Sequence, residues 1–196
     1  MIDKTEIKKE EIQELPPCSY EGIKIEVIDS EEKLLAALDY LECQSLIGFD
    51  TETKPSFKKG VTHQVCLLQL ATSEICFLFR LHLIPFHPKL SAILSNPKIT
   101  KVGVSIKDDI RILNKRGKFK PQGFIDMQNM AKEVGIKDIS LQKIYAILFG
   151  KRISKTQRLS NWESEVLTPA QQQYAAIDAW ACIDIYHQLQ KEISLK

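Results

Sequence analysis

Leu46-Ile47-Gly48-Phe49-Asp50-Thr51-Glu52 opens as an apolar strand and closes on two carboxylates. Residues two apart on a strand share a face, so Asp50 and Glu52 point the same way. Two acids that close repel each other unless a cation lies between them or one keeps its proton. A further acid in apolar surroundings, Asp178, lies in Tyr174-Ala175-Ala176-Ile177-Asp178-Ala179-Trp180-Ala181. Tyr174 and Asp178 are four apart and share a helix face. The alanines around them permit this helix to pack closely on a sheet, which brings Asp178 toward the strand acids. Asp109, near the start of another helical segment, is the fourth candidate, and the residues alone do not distinguish it from Asp108. Each acid by itself has an ordinary explanation: a strand end, a helix start, a backbone-bonded aspartate. Together they form a set of oxygen donors.

Such a set suits hard cations, Mg²⁺ or Mn²⁺, and a pair of them clamps the attacking and leaving oxygens of a phosphodiester displacement. Zinc is not expected, since none of the four histidines has ligand spacing to any of the five cysteines. The cysteines form no C-x-x-C pair and read as reduced thiols, which suits a cytoplasmic setting. A net charge of +2 from 27 basic and 25 acidic residues neither demands nor excludes a polyanionic partner. The first residues carry no apolar stretch, so no secretory signal is expected. No apolar run approaches the length of a membrane span, and no membrane partner is expected.

Residues 1–22 are charged, end in Pro16-Pro17, and read as an N-terminal arm with one short helix. Residues 23–196 read as a single domain. Ile23–Ile28 alternates as an edge strand, and Asp29 is the expected cap of a helix carrying Leu34, Leu35, Leu38 and Leu41. Strands are expected over Leu46–Thr51, Val65–Leu70, Ile75–Phe79, Ile99–Ile106 and Phe124-Ile125. Thr72-Ser73-Glu74 joins the second and third of these as an antiparallel hairpin. Residues 88–95 read as helix, and from 126 onward helices dominate, ending in a long one from about 169 to 193. The pattern is that of an α/β layered domain.

Three stretches resemble the exonuclease motifs of the DEDD superfamily. They are Phe49-Asp50-Thr51-Glu52-Thr53, Val102-Gly103-Val104-Ser105-Ile106-Lys107-Asp108-Asp109 and Tyr174-Ala175-Ala176-Ile177-Asp178-Ala179. The tyrosine four before the last aspartate marks the tyrosine branch; the histidine branch has its base one residue earlier, where this chain has Gln173. Val65–Leu70, Ser140-Leu141, Ser160-Asn161-Trp162 and Leu167-Thr168 are similar to the ribonuclease D and Werner syndrome exonuclease family. The resemblance spans about residues 23–193. It implies a ribonuclease H-like fold, a mixed central β-sheet flanked by helices. It also implies 3′–5′ hydrolysis of nucleic acid, DNA or RNA, with two divalent metals. By position, Asp50, Glu52, Asp109 and Asp178 are the implied metal ligands and Tyr174 the implied holder of the attacking water. Spacing from Gly103 favours Asp109 over Asp108. A catalytically silent binding or scaffold module is the rival reading, but such a module is expected to lose an acid, and all four stand here.

Three basic clusters are candidates for phosphate contacts. Lys54, Lys58 and Lys59 follow the first motif with Phe57 among them, and Lys151, Arg152, Lys155 and Arg158 precede the last helix. The third, Lys115, Arg116, Lys118 and Lys120, reads as a solvated face. Lys155 and Arg158 are expected at the scissile or neighbouring phosphate. Phe57 reads either as a base-stacking side chain or as an exposed loop aromatic. Gln69 and Leu70 read either as the wall of a terminal-nucleotide pocket or as strand core. Trp162 reads as a packing anchor.

Overall fold

The computed structural model describes residues 2, 4–20, 22, 24–56 and 63–195. The strands are β1 (Lys24–Ile28), β2 (Leu46–Thr53), β3 (Val65–Ala71), β4 (Ile75–Arg80), β5 (Thr100–Gly103) and β6 (Phe124–Asp126). They form one mixed sheet in the order β1-β4-β3-β2-β5-β6. β2, β3 and β4 run antiparallel to their neighbours in that group, whereas β5 and β6 run parallel to β2 and β1 runs parallel to β4. The β3–β4 connection is tight because Thr72 closes it at both ends. Its amide donates to the Ile75 carbonyl at 2.8 Å, and its hydroxyl accepts from the Ile75 amide at 3.2 Å.

Helices cover both faces of the sheet. On one lie α2 (Glu31–Glu42), α3 (Pro88–Leu94) and α4 (Ile106–Arg116), whose leucines and isoleucines bury Ile47, Phe49, Leu68, Leu70 and Phe79. On the other lie α5 (Met127–Glu133), α6 (Leu141–Phe149) and α7 (Pro169–Ser194). α7 is buried along most of its length, as its run of alanines foretells. Thr168 starts it with a reciprocal cap: its hydroxyl accepts from the Gln171 amide at 3.2 Å, and its own amide donates to Gln171 Oε1 at 2.9 Å. Trp180 Nε1 donates to the Thr72 carbonyl at 2.7 Å and ties α7 to the β3–β4 turn.

Several details differ from the sequence expectation. Ser30 rather than Asp29 caps α2, accepting from the Lys33 amide at 3.4 Å, while Asp29 pairs with the Lys33 ammonium at 2.8 Å. β5 stops at Gly103 instead of reaching Ile106, because Ser105 turns the chain in the left-handed region at φ 62° and Ile106 begins α4. β1 is an edge strand but lacks clean alternation, since Glu26 is half-buried like Ile25 and Val27. The N-terminal arm carries the expected short helix, α1 (Lys9–Glu14), and is packed against α6 through Ile7 and Ile12.

One contact sets the spacing of α7 and β2. A Cβ on Gly48 would overlap the Ala179 carbonyl. Gly48→Ala is therefore expected to cost about 1–3 kcal/mol, measured by denaturant unfolding. An unchanged midpoint would show that α7 does not rest on Gly48.

Candidate active site

The close approach at Gly48 places α7 directly over the acids of β2. Asp50 and Glu52 point to the α7 side of the sheet, and Asp178 adjoins the Ala179 carbonyl that meets Gly48. One carboxylate oxygen from each of Asp50, Glu52 and Asp178 lies within 4.8 Å of the other two. Asp178 is 7% exposed, and the two strand acids are half-buried.

Crowding three acids in a cleft disfavours their charged forms. Burial pushes Asp50 well above the usual carboxylate range, and the Asp178, Glu52 and Asp109 charges add to it. Burial also pushes Glu52 up to about 8, with Asp178 and Asp109 reinforcing the shift and Arg158 opposing it. Asp178 rises to about 7 through burial, opposed by a hydrogen-bonding interaction with Tyr174 and by the Lys155 charge. A hard divalent cation answers both needs of this set, since oxygen ligands match its chemistry and its charge offsets the repulsion.

The fourth acid is held differently. Thr51 lies between Asp50 and Glu52, so its side chain points to the opposite face of β2. Its hydroxyl donates to Asp109 Oδ1 at 2.6 Å. Asp109 thus sits at the edge of the cluster, outside the three acids that share ligand distance, yet near enough for its charge to act on Asp50 and Glu52. Asp108 points to solvent, 78% exposed, and pairs with Arg111 at 3.2 Å. The strained turn at Ser105 aims α4, and the Ser105 amide donates to Asp126 Oδ1 at 3.0 Å. The same oxygen caps α5 by accepting from the Gln128 amide at 3.0 Å.

Tyr174 lies one turn before Asp178 and is buried. Burial and the charges of Asp178, Glu52 and Asp50 hold its phenol above the usual range, so it keeps its proton. Trp162, fully buried, packs against it with ring centroids 5.9 Å apart, in the anchoring role its sequence suggested. Buried Arg80 fixes the segment that carries Trp162, donating to the Glu165 carbonyl at 2.6 Å and also to the Ser164 carbonyl.

Of the basic candidates, Arg158 lies near Glu52 and Lys155 near Asp178. Lys54 is paired with Glu163 at 3.2 Å. Arg116, expected in solvent, donates to Gln64 at 2.9 Å and to the Leu81 carbonyl. Phe57, Lys58 and Lys59 fall outside the described residues. Gln69 and Leu70 are both fully buried, in keeping with the strand-core reading. Leu70 faces the core under α2 and α3, and Gln69 lies beside Asp50 in the β2–β3 register with its amide unpartnered. Sequence reasoning missed Thr51, Arg80 and Asp126. Only Thr51 carried a signal, its place between two acids.

A model of the 3′–5′ exonuclease family matches residues 25–194. The bifunctional 3′–5′ exonuclease/ATP-dependent helicase WRN of Mus musculus is 34% identical over 150 residues, which are 74% of this chain and 11% of that protein. Ribonuclease D of Haemophilus influenzae is 29% identical over 172 residues, 86% of this chain and 42% of that protein. The chain therefore spans less than half the length of either. Among solved structures, the EXO domain of Aedes aegypti Nibbler superposes with a TM-score of 0.79 at 24% identity, covering 87% of this chain and 89% of that one. The likeness bears out the ribonuclease H-like fold.

The raised carboxylates have a measurable consequence. Their folded pKa values exceed the unfolded ones, so the stability they contribute is full below the ordinary carboxylate range and is lost as pH rises through about 7 to about 8. Metal-free protein is expected to melt at lower temperature above that window than below it. Added Mg²⁺ or Mn²⁺ should raise the melting temperature more on the alkaline side, where no proton must leave first. Asp178→Asn should flatten both trends in a thermal-shift titration; identical curves for variant and parent would refute the linkage.

Proposed function

This chain belongs to the 3′–5′ exonuclease family, in the branch with a tyrosine one turn before the last acid, and from that premise we propose that it is an active, divalent-metal-dependent 3′–5′ exonuclease. The observation that carries the reading is the convergence of Asp50, Glu52 and Asp178 within 4.8 Å, with the family's tyrosine on the same helix turn. Asp109, anchored by Thr51, completes the four-acid set. The donor chemistry fits two Mg²⁺ or Mn²⁺ ions held by these four residues. When bound, such ions supply Lewis acidity and a charge clamp for in-line displacement at phosphorus.

The residues of the chain supply the rest. Burial and mutual repulsion hold the Asp50, Glu52 and Asp178 carboxyls above the usual carboxylate range in the absence of a cation, so cation binding and loss of their protons go together. Tyr174, kept protonated, is a hydrogen-bond donor and orienter of the attacking water and not a base. Lys155 and Arg158 carry charges that act on Asp178 and Glu52, suited to a phosphate in the cleft. Phosphate contacts position a strand without reading its bases, so the expected substrate is any accessible 3′ end, with little sequence preference. Five unpaired cysteines support a reducing, cytoplasmic setting.

Incubation with Mg²⁺ or Mn²⁺ is expected to shorten 5′-labelled strands stepwise from the 3′ end, and chelation should stop it. Recessed DNA, single-stranded DNA and short RNA form the panel. Intact strands throughout would instead favour the silent binding module. Asp50→Ala and Asp178→Ala should remove turnover while the fold persists. Tyr174→Phe should slow it by about a hundredfold with little change in metal affinity. Asp109→Ala should be far more damaging than Asp108→Ala; the reverse order would mean that the second motif is misaligned by one residue.

A further inference from the structure

The N-terminal arm lies outside the family match, which starts at residue 25, yet it is bonded into the domain at both ends. The Lys137 amide donates to the Thr5 carbonyl and the Ile7 amide to Asp138 Oδ2, both at 2.9 Å. Ile7 and Ile12 are buried against Ala146. Farther on, the Arg152 amide donates to the Pro16 carbonyl and the Cys18 amide to the Arg152 carbonyl, both at 2.9 Å. The Arg152 side chain donates through Nε to the Leu15 carbonyl at 2.9 Å.

So fixed, the arm forms one wall of two adjoining clefts. The first, about 200 Å³, lies between Pro17, Cys18 and Arg152 on one side and the α7 face bearing Tyr174 and Ile177 on the other. The second, about 380 Å³, continues past Ile153 and Lys155 to Lys9 and Ile12 of α1. Both are lined by Arg152, Ser154 and Thr156. Among the described residues, Lys9, Arg152 and Lys155 take part in no ion pair. Lys155 lies in the fields of Arg158, Lys9 and Lys143 as well as that of Asp178. Beneath the charges is an apolar floor of Ile12, Ile153 and Ile177.

Spaced cations over an apolar floor, in a track walled on both sides, match a flexible chain that carries phosphates and flat apolar rings. We propose that the arm and residues 151–156 form a groove for the backbone of a single nucleic-acid strand, with Lys9, Arg152 and Lys155 contacting successive phosphates. The groove starts at Tyr174, so the strand lies upstream of the end that reaches the acids. Only this polarity rests on the exonuclease reading; the binding does not.

Fluorescence anisotropy of the full chain in chelator separates the two ideas. Wild type is expected to bind a longer labelled single strand far more tightly than a dinucleotide. Lys9→Glu and Arg152→Gln should each shrink that advantage and lower the slope of log affinity against log salt by ~0.7, one phosphate contact on a single strand. Lys118→Ala, which removes a charge outside the groove, should leave the slope unchanged, and circular dichroism confirms that each variant is folded. Slopes in Lys9→Glu and Arg152→Gln equal to wild type would overturn the groove, even if the protein proves to be an exonuclease. Arm-dependent binding by a protein that cleaves nothing would keep the groove and sink the exonuclease reading.

Discussion

Backbone contact between a helix and a strand is the constraint on which this structure depends. Gly48 lacks a side chain at the point where the Ala179 carbonyl reaches β2. Any larger residue there would lift α7, and with it Asp178, away from Asp50. The alanines on either side of Asp178 serve the same closeness. Trp180 secures it from beyond the site through the Thr72 carbonyl. An acid at the centre of a sheet and an acid on a helix far along the chain become neighbours because small residues let two backbones touch.

That closeness carries an electrostatic cost. Asp50, Glu52 and Asp178 meet in a cleft where each raises the difficulty of ionising the others. Among the described residues, the charges of Lys155 and Arg158 relieve the repulsion only in part. A fold optimised for stability alone would not gather acids this way; perturbed carboxylates concentrated in a cleft are what chemistry requires of a site. The surrounding contacts absorb the strain. Thr51 holds Asp109, Asp126 holds the turn that aims it, and Arg80 with Trp162 holds the wall beside Tyr174.

How far this was legible in the sequence depends on the range of the interaction. Strand pairing of 65–70 with 75–79 and the extent of α7 followed from local pattern, as did the sharing of a face by Asp50 and Glu52. Asp109 was separable from Asp108 only through the family resemblance, because both open the same helix and only the fold decides which one turns inward. Arg80 and Asp126 were invisible, for their partners are backbone groups distant in the chain or turned by an unusual φ. Gln69 and Leu70 stayed between two readings, since a motif on a strand says which residues alternate but not which side another layer covers. The charged arm gave no sign that it would be bonded into the domain, since main-chain hydrogen bonds leave no mark in composition.

The segment before α7 is fastened at its ends, by the arm at Arg152 and by Arg80 at Ser164 and Glu165. Between them runs a span that carries Lys155, Arg158 and exposed Leu159. Mechanically it is a bridge hung from two piers, neither of which is part of the acid cluster. Its exposed residues can change without disturbing the spacing of β2 and α7, while buried Ile153 and Trp162 keep it seated on the core. In this architecture the basic residues of the span and the acids of the cleft are carried by separate elements.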